Sequence, residues 1–146
     1  MGFDIFAFPH PREQMQHVAH LRTYMGAFER LKKEGYDWFA LLGAYDCYGT
    51  VSGKNRGKYV PVEALNRALR VLEDFKPLPH SEGIRRKPQL RAFMEACVNW
   101  CRKTGNDRIY ILFARYTVLK MELWEKQDKL KATILNFPVI PPNSRL

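Results

Sequence analysis

The feature that most constrains the fold is the stretch 108–135, the longest run of the chain without glycine or proline. Its first half is apolar nearly all round, and its second half is apolar along one stripe only. A helix with this pattern is buried at one end and half exposed at the other. We therefore predict a helix over 108–135 around which the rest of the chain packs.

A competing interpretation of this stretch is a buried strand over 109–113. A short apolar run cannot be assigned to a helix or a strand from its period alone. The helical spacing of apolar residues that continues to Ile134 favours the helix. The state of residues 109–113 therefore separates the two fold classes considered below.

The remaining periodicity favours a mainly α protein. Four helices are predicted at about 12–34, 62–75, 88–104 and 108–135, with short extended pieces at 2–8, 36–48 and 58–61. Proline before a helix and glycine after it are typical boundaries. The alternative is an α+β fold in which strands at 3–8, 37–42 and 109–113 form a small sheet.

The chain is long enough for one domain. It has 146 residues, within the usual size of a single domain. We predict one globular domain over 1–136, followed by an extended tail over 137–146, because three prolines in the tail disfavour a helix.

The charge balance indicates an anionic partner. The net charge is +9 and the isoelectric point is about 9.6, above the value of about 9 that is typical of nucleic-acid-binding domains. The function that this favours is a basic, non-enzymatic binding protein for nucleic acid or another polyanion. The candidate phosphate-binding residues are two short clusters: Lys54, Arg56 and Lys58, and Arg85, Arg86 and Lys87.

Two other binding modes are compatible with the sequence. Trp38, Tyr45 and Tyr48 lie in an aromatic-rich segment and predict a pocket for a small ligand or a protein. The helix predicted at 108–135 has a second apolar face, which predicts either cover within the chain or a homodimer interface.

Histidine and cysteine spacing suggests a metal site as a further hypothesis. His17 and His20 lie three apart on one predicted helix, and Cys97 and Cys101 lie four apart on another. Two such pairs would suit zinc, but ordinary core packing explains the cysteines better, and neither a metal nor another cofactor is predicted. The two cysteines should be free thiols, since their expected separation is too large for a disulfide.

The sequence also bears on activity and location. A catalytic Cys47 would need a base held in place by a third group, and no motif indicates one, so no catalytic residue is predicted. Free thiols, the lack of a secretory leader and the lack of a transmembrane run predict a cytoplasmic protein with no membrane partner.

Overall fold

A computed structural model describes residues 2–14, 16–24, 26–47 and 56–115. The predicted tail at 137–146, most of the predicted helix at 108–135, and the residues Lys54 and Tyr48 lie outside these ranges.

The described chain forms one antiparallel sheet with helices packed on one of its faces. The elements in chain order are β1 (Gly2–Phe8), β2 (Ala19–Tyr24), α1 (Ala27–Glu34), α2 (Trp38–Leu42), a 3-10 turn (Tyr45–Cys47), β3 (Arg56–Pro61), α3 (Val62–Asp74), α4 (Glu82–Thr104) and β4 (Arg108–Arg115). The strand order is β2-β1-β4-β3. The protein is therefore α+β. The mainly α prediction is wrong, and the alternative of an α+β fold with a small sheet fits.

The strand β4 is the main reason why the mainly α prediction is wrong. Its residues pair with β1 on one side and with β3 on the other. Ile109, Ile111 and Phe113 are fully buried against the helices, while Leu112 and Ala114 are buried on the opposite face. A strand covered on both faces has a continuous apolar sequence, which is why the period of this stretch resembled that of a buried helix.

The homodimer surface predicted on the helix at 108–135 changes accordingly. Over Arg108–Arg115 the chain is a strand with a neighbour on each edge, so this part has no second helical face to offer. The remainder of the predicted surface lies outside the described residues.

The helix predicted at 12–34 is wrong in its first half. Residues 19–24 form the edge strand β2, and a helix begins only at Ala27. In β2 the residues Ala19, Leu21 and Thr23 are buried and the residues between them are more exposed, which is the period of a strand. The predicted end at Gly35 is confirmed, since this glycine has a φ of 115°.

The other expectations are met in part. The helices predicted at 62–75 and 88–104 are confirmed as α3 and α4, although α4 begins at Glu82 and contains Pro88. The extended pieces expected at 2–8 and 58–61 are strands, whereas the extended piece expected at 36–48 is wrong over its described residues, which contain α2 and the 3-10 turn. The strand considered at 37–42 is instead the helix α2, because the side chain of Asp37 caps it by accepting from the Ala40 N–H at 3.2 Å.

Aromatic side chains fill the core between the helices and the sheet. Trp38 stacks on Phe28 with ring centroids 5.4 Å apart and meets Phe93 edge to face at 5.8 Å. The indole N–H of Trp38 donates to the sulfur of Met94 at 3.2 Å. This packing joins α1, α2 and α4 in one apolar layer. None of the described helices combines the length and apolar character that crossing a membrane requires.

Gly83 in the first turn of α4 provides a test of how closely this turn packs against the residues that follow α3. A Cβ placed there would lie 2.7 Å from Pro77 Cβ and 2.9 Å from Phe75 Cε2. We predict that Gly83→Ala lowers the free energy of unfolding by about 1–3 kcal/mol through overpacking, measured by urea denaturation.

Gly26 provides the control for this substitution. A Cβ at Gly26 would meet its nearest neighbour, Tyr24, at an ordinary 3.4 Å. Gly26→Ala should change the free energy of unfolding by less than about 1 kcal/mol. If the two variants unfold at the same denaturant concentration, the close packing around Gly83 is refuted.

Candidate functional site

The first predicted basic cluster is engaged within the protein where it is described. Lys54 lies outside the described residues, and Arg56 is described only as the first residue of β3. Lys58 Nζ donates to the Gly43 carbonyl at 2.5 Å and lies 3.4 Å from Asp46 Oδ1. Lys58 therefore ties β3 to the end of α2.

The second predicted cluster begins α4 rather than lying in a loop. Lys87 Nζ donates to the Phe75 carbonyl at 2.8 Å, a position at the end of α3 where a cation satisfies a free carbonyl. Arg86 Nε lies 2.5 Å from Glu82 Oε1, and its side chain is 14% exposed. Arg85 binds the same carboxylate at 3.1 Å, but its side chain is 65% exposed. Of the three, Arg85 presents the most charge to solvent.

The structure does not bring the described members of the two clusters onto one groove. Lys58 lies on β3 at one edge of the sheet, while Arg86 packs against Tyr24 at the end of β2, the opposite edge. These edge strands are three strand spacings apart, or about 14 Å.

Glu82 is the centre around which Arg85 and Arg86 are arranged. Its carboxylate is buried, with a side chain 1% exposed, and it also accepts from the Tyr24 hydroxyl at 2.6 Å. Burial alone would raise the pKa of Glu82, but the hydrogen bonds from Tyr24 and Arg86 and the charges of both arginines outweigh it and lower the pKa. The same hydrogen bond to Glu82 raises the pKa of Tyr24.

The ring of Tyr24 connects this centre to α1. The guanidinium carbons of Arg30 and Arg86 lie 5.8 Å and 5.6 Å from the ring centroid, within the range of a cation–π contact. Arg30 is exposed on α1. The Tyr24 ring therefore links Arg30 of α1 to the start of α4, where the exposed Arg85 binds Glu82.

The helix α1 carries two further exposed cations, Lys33 and Lys32. Lys33 follows Arg30 by three residues, so the two side chains are neighbours on the helix surface. Lys32 Nζ lies 5.1 Å from the ring centroid of Tyr45, and Tyr45 is 48% exposed. We call Arg85, Arg30, Lys33 and Lys32 the α1 basic band.

A groove lies at the Tyr45 end of the α1 basic band. It has a volume of about 640 Å³ and is lined by aromatic, cationic and acidic side chains: Phe28, Phe39, Tyr45, Lys32, Lys33, Glu29 and Asp37. Of the predicted aromatic pocket, Tyr45 thus lines a real groove. Trp38 is 1% exposed and belongs to the core, and Tyr48 lies outside the described residues.

The carboxylates near the band are mostly turned toward the protein. Glu34 accepts from the Gly83 N–H at 3.2 Å, and Glu82 is buried. Asp37 caps α2 and accepts a hydrogen bond from the Tyr45 hydroxyl. Glu29, by contrast, is exposed on α1 and lines the same groove, so the four cations of the band are accompanied by one exposed carboxylate and outnumber it.

The proposed metal ligands do not converge. His20 Nε2 lies 2.7 Å from Asp4 Oδ1 on the sheet face away from the helices, whereas Cys97 and Cys101 lie in the core on α4. Burial raises the pKa of the Cys97 thiol. All three cysteines are free, which confirms that Cys97 and Cys101 form no disulfide. No three metal-binding side chains are grouped in the part of the chain that the structure describes.

Cys47 has neighbours that do not resemble a catalytic arrangement. The thiol is buried and lies 3.9 Å from Asp46 Oδ1. It is near enough to Tyr110 to raise the pKa of that phenol, after the larger effect of burial. Two histidines that could serve as a base have other neighbours: His17 packs beside His20, and His10 pairs with Glu13.

Sequence reasoning missed the α1 basic band as a unit. The exposed positions of Arg30 and Lys33 follow from the helical pattern, but their proximity to Arg85 depends on a contact between residues 58 apart, Tyr24 and Glu82.

Comparisons of this chain with protein-family models, with curated proteins and with solved structures found no match.

Replacing the central carboxylate tests this arrangement. Glu82→Gln keeps the shape but removes the charge that Arg85 and Arg86 share, and we predict a loss of about 1–3 kcal/mol in the free energy of unfolding at pH 7. Because the pKa of Glu82 is lowered in the folded state, this stability is present above its ordinary pKa of 4.5 and is lost as the pH falls through the folded value.

Denaturant unfolding at neutral and acidic pH measures both effects. The difference in the free energy of unfolding between wild type and Glu82→Gln should be largest at pH 7 and should shrink below about pH 4. Glu95→Gln, an exposed site on α4, should stay within about 0.5 kcal/mol of wild type. If this difference in the free energy of unfolding does not change with pH, the conclusion that folding lowers the pKa of Glu82 is contradicted.

Proposed function

We propose that this is a non-enzymatic protein that binds single-stranded nucleic acid along the α1 basic band. The observation that carries the proposal is a group of four exposed cations on α1 and at the start of α4, one of which, Lys32, lies 5.1 Å from the ring centroid of the exposed Tyr45. Cationic grooves with aromatic platforms are the common design of sequence-tolerant single-strand binders.

Electrostatics supports the proposal. Each phosphate that a protein neutralises releases counterions, so cations without competing surface carboxylates contribute directly to affinity. Along the band, Glu34, Asp37 and Glu82 are held by partners within the protein, and the one exposed carboxylate, Glu29, is outnumbered by the four cations. The whole chain also carries a net charge of +9, which favours encounter with a polyanion.

The groove at the end of the band favours a single strand over a duplex. Phe28 and Phe39 form apolar walls beside the ring of Tyr45. Unpaired bases can enter such a groove and stack on an aromatic ring, whereas the bases of a duplex are already stacked on one another. Phosphates would then lie along Lys32, Lys33 and Arg30.

The charge contribution is tested by the triple variant Arg30→Gln, Lys32→Gln and Lys33→Gln. We predict that it binds a labelled single-stranded oligonucleotide at least about tenfold more weakly at low salt. The slope of affinity against salt should fall by about two, because each phosphate contact to a single strand contributes about 0.7. Fluorescence anisotropy at several salt concentrations measures both quantities.

The matched control removes the same charge from another helix face. Arg67, Arg70 and Lys76 are exposed on or just after α3, and their triple Gln variant has the same net charge of 9 − 3 = +6 as the band variant. It should retain affinity within about threefold. Equal weakening of both triple variants would mean that net charge alone drives binding, which contradicts the proposed interface.

Tyr45 provides a separate test of the single-strand preference. We predict that Tyr45→Ala weakens single-strand binding by about 1–3 kcal/mol through lost stacking and leaves duplex binding nearly unchanged. A parallel titration with both forms of the same sequence measures this. An equal loss of affinity for the single strand and the duplex would mean that Tyr45 does not stack on unpaired bases.

A second candidate function is binding of a small ligand in the same groove. It is favoured by the groove volume of about 640 Å³ and by the Phe28 and Phe39 walls, which are typical of small-molecule sites. A mononucleotide that competes as strongly as the oligonucleotide would support this function, whereas affinity that rises with strand length supports the nucleic-acid proposal.

A further inference from the structure

We propose that the groove at the Tyr45 end of the α1 basic band recognises guanine, and that the carboxylate of Glu29 accepts hydrogen bonds from the N1–H and the N2 amino group of that base. The guanine specificity rests on the single-strand binding proposed above, because the cations of the band hold the phosphates on either side of the base. It gives a function to the one exposed carboxylate that accompanies these cations.

The first observation is that Glu29 lines the groove and is not engaged by the protein. Its side chain is exposed on α1 and shares the groove with Tyr45, Phe28 and Phe39. Asp37, the other carboxylate of the groove, caps α2 and accepts from the Tyr45 hydroxyl. Within the part of the chain that the structure describes, no hydrogen bond or ion pair occupies the oxygens of Glu29. Both of its oxygens can therefore accept hydrogen bonds from a ligand.

The second observation is the position of this carboxylate near Lys32 and the ring of Tyr45. Glu29 precedes Lys32 by three residues, so the two side chains are neighbours on the surface of α1. Lys32 Nζ lies 5.1 Å from the ring centroid of Tyr45. The Tyr45 hydroxyl contributes most to raising the pKa of Lys32, with smaller contributions from the charges of Asp37 and Glu29. Glu29 therefore lies within reach of a base that stacks on Tyr45.

The ring of Tyr45 is held in place before a ligand binds. Its hydroxyl donates to Asp37, and the residue is 48% exposed. A fixed ring is a suitable platform for a base, because less conformational freedom is lost on stacking. A stacked base directs its edge sideways toward the lining of the groove, to which Glu29 belongs. The apolar walls Phe28 and Phe39 strengthen hydrogen bonds at that edge, because they lower the local dielectric.

The chemistry of a carboxylate selects the base. An ionised carboxylate only accepts hydrogen bonds, and bidentate contacts to a charged group are the strong ones. The Watson–Crick edge of guanine carries two adjacent donors, N1–H and the N2 amino group, which match the two carboxylate oxygens. On the same edge, adenine and cytosine place a ring-nitrogen acceptor next to the amino donor, and thymine places its one donor between two carbonyls. Glu29 therefore favours guanine over the other bases.

Glu29 also has an ordinary structural role, which the test must separate from base recognition. The residue lies in the first turn of α1, where a negative charge interacts favourably with the helix dipole. Loss of that interaction would lower the stability of α1 without changing which base binds. A negative charge near phosphates weakens the binding of every strand alike. Base preference is therefore the property that only direct recognition by Glu29 changes.

The probes are labelled single-stranded thymidine pentamers that carry guanine, hypoxanthine or adenine at the central position. We expect the full chain to bind the guanine pentamer at least about fivefold more tightly than the adenine pentamer at low salt, as a bidentate contact to a base predicts. Hypoxanthine keeps the N1–H but lacks the N2 amino group, so its pentamer should have intermediate affinity. Fluorescence anisotropy measures all three affinities.

The variant Glu29→Gln keeps the shape of the side chain and removes its charge. We expect it to bind the guanine and adenine pentamers within about twofold of one another. It should bind the adenine pentamer at least as tightly as wild type does, because a negative charge near the phosphates is gone. Weaker guanine binding together with unchanged or tighter adenine binding distinguishes lost recognition from lost folding.

Glu63→Gln is the matched control. Glu63 is exposed on α3 and lies outside the lining of the groove, and its substitution changes the net charge by the same amount as Glu29→Gln. This variant should keep the guanine preference of at least about fivefold.

Three results would overturn guanine recognition by Glu29. They are equal affinity of wild type for the guanine and adenine pentamers, a guanine preference that Glu29→Gln retains, and loss of the preference in Glu63→Gln. Free guanosine monophosphate that competes as strongly as the guanine pentamer would overturn the assignment of the base to a strand.

The failure of guanine recognition can be told apart from the failure of strand binding. Equal affinity for all three pentamers, with weaker binding by the triple variant of Arg30, Lys32 and Lys33, overturns guanine recognition and leaves strand binding by the α1 basic band in place. If wild type binds neither the pentamers nor a longer oligonucleotide, both proposals are overturned.

Discussion

The buried carboxylate of Glu82 is the interaction on which the arrangement of the candidate surface depends. A carboxylate at this depth is strongly unfavourable unless hydrogen bonds and charges compensate for lost solvation. Glu82 obtains them from Tyr24, Arg85 and Arg86. These contacts fix the start of α4 against the end of β2, and the Tyr24 ring then positions Arg30 of α1. The positions of Arg85 and Arg30 at the surface therefore follow from a buried charge that must be compensated.

Part of the fold is predictable from the sequence because some segments have only one compatible period. The apolar stripes of α3 and α4 repeat at helical spacing, and both helices were predicted close to their observed positions. The strands β2 and β4 were not. In β2, Leu21 fits a helical stripe as well as a strand alternation, and only pairing with β1 decides between them. In β4, burial of both faces removes the alternation altogether.

The candidate site was less predictable because a sequence gives the number of cations but not their partners. Lys58, Arg86 and Lys87 were expected to contact phosphate, yet each is used inside the protein, where it joins an element to a carbonyl or a carboxylate. Arg30 and Lys33, which the helical pattern places on the surface, acquire significance only when α1 meets α4. The contact between α1 and α4 depends on residues far apart in sequence, and local sequence patterns do not reveal such contacts.

The most direct test of this account is the footprint of a single-stranded oligonucleotide on the protein, followed by backbone amide shifts during a titration. The account predicts that the largest changes occur along α1, at Tyr45 and in the first turn of α4, with little change on the exposed face of α3. Changes centred on α3 or on β3 near Lys58, with α1 unaffected, would contradict the assignment of the α1 basic band as the binding surface.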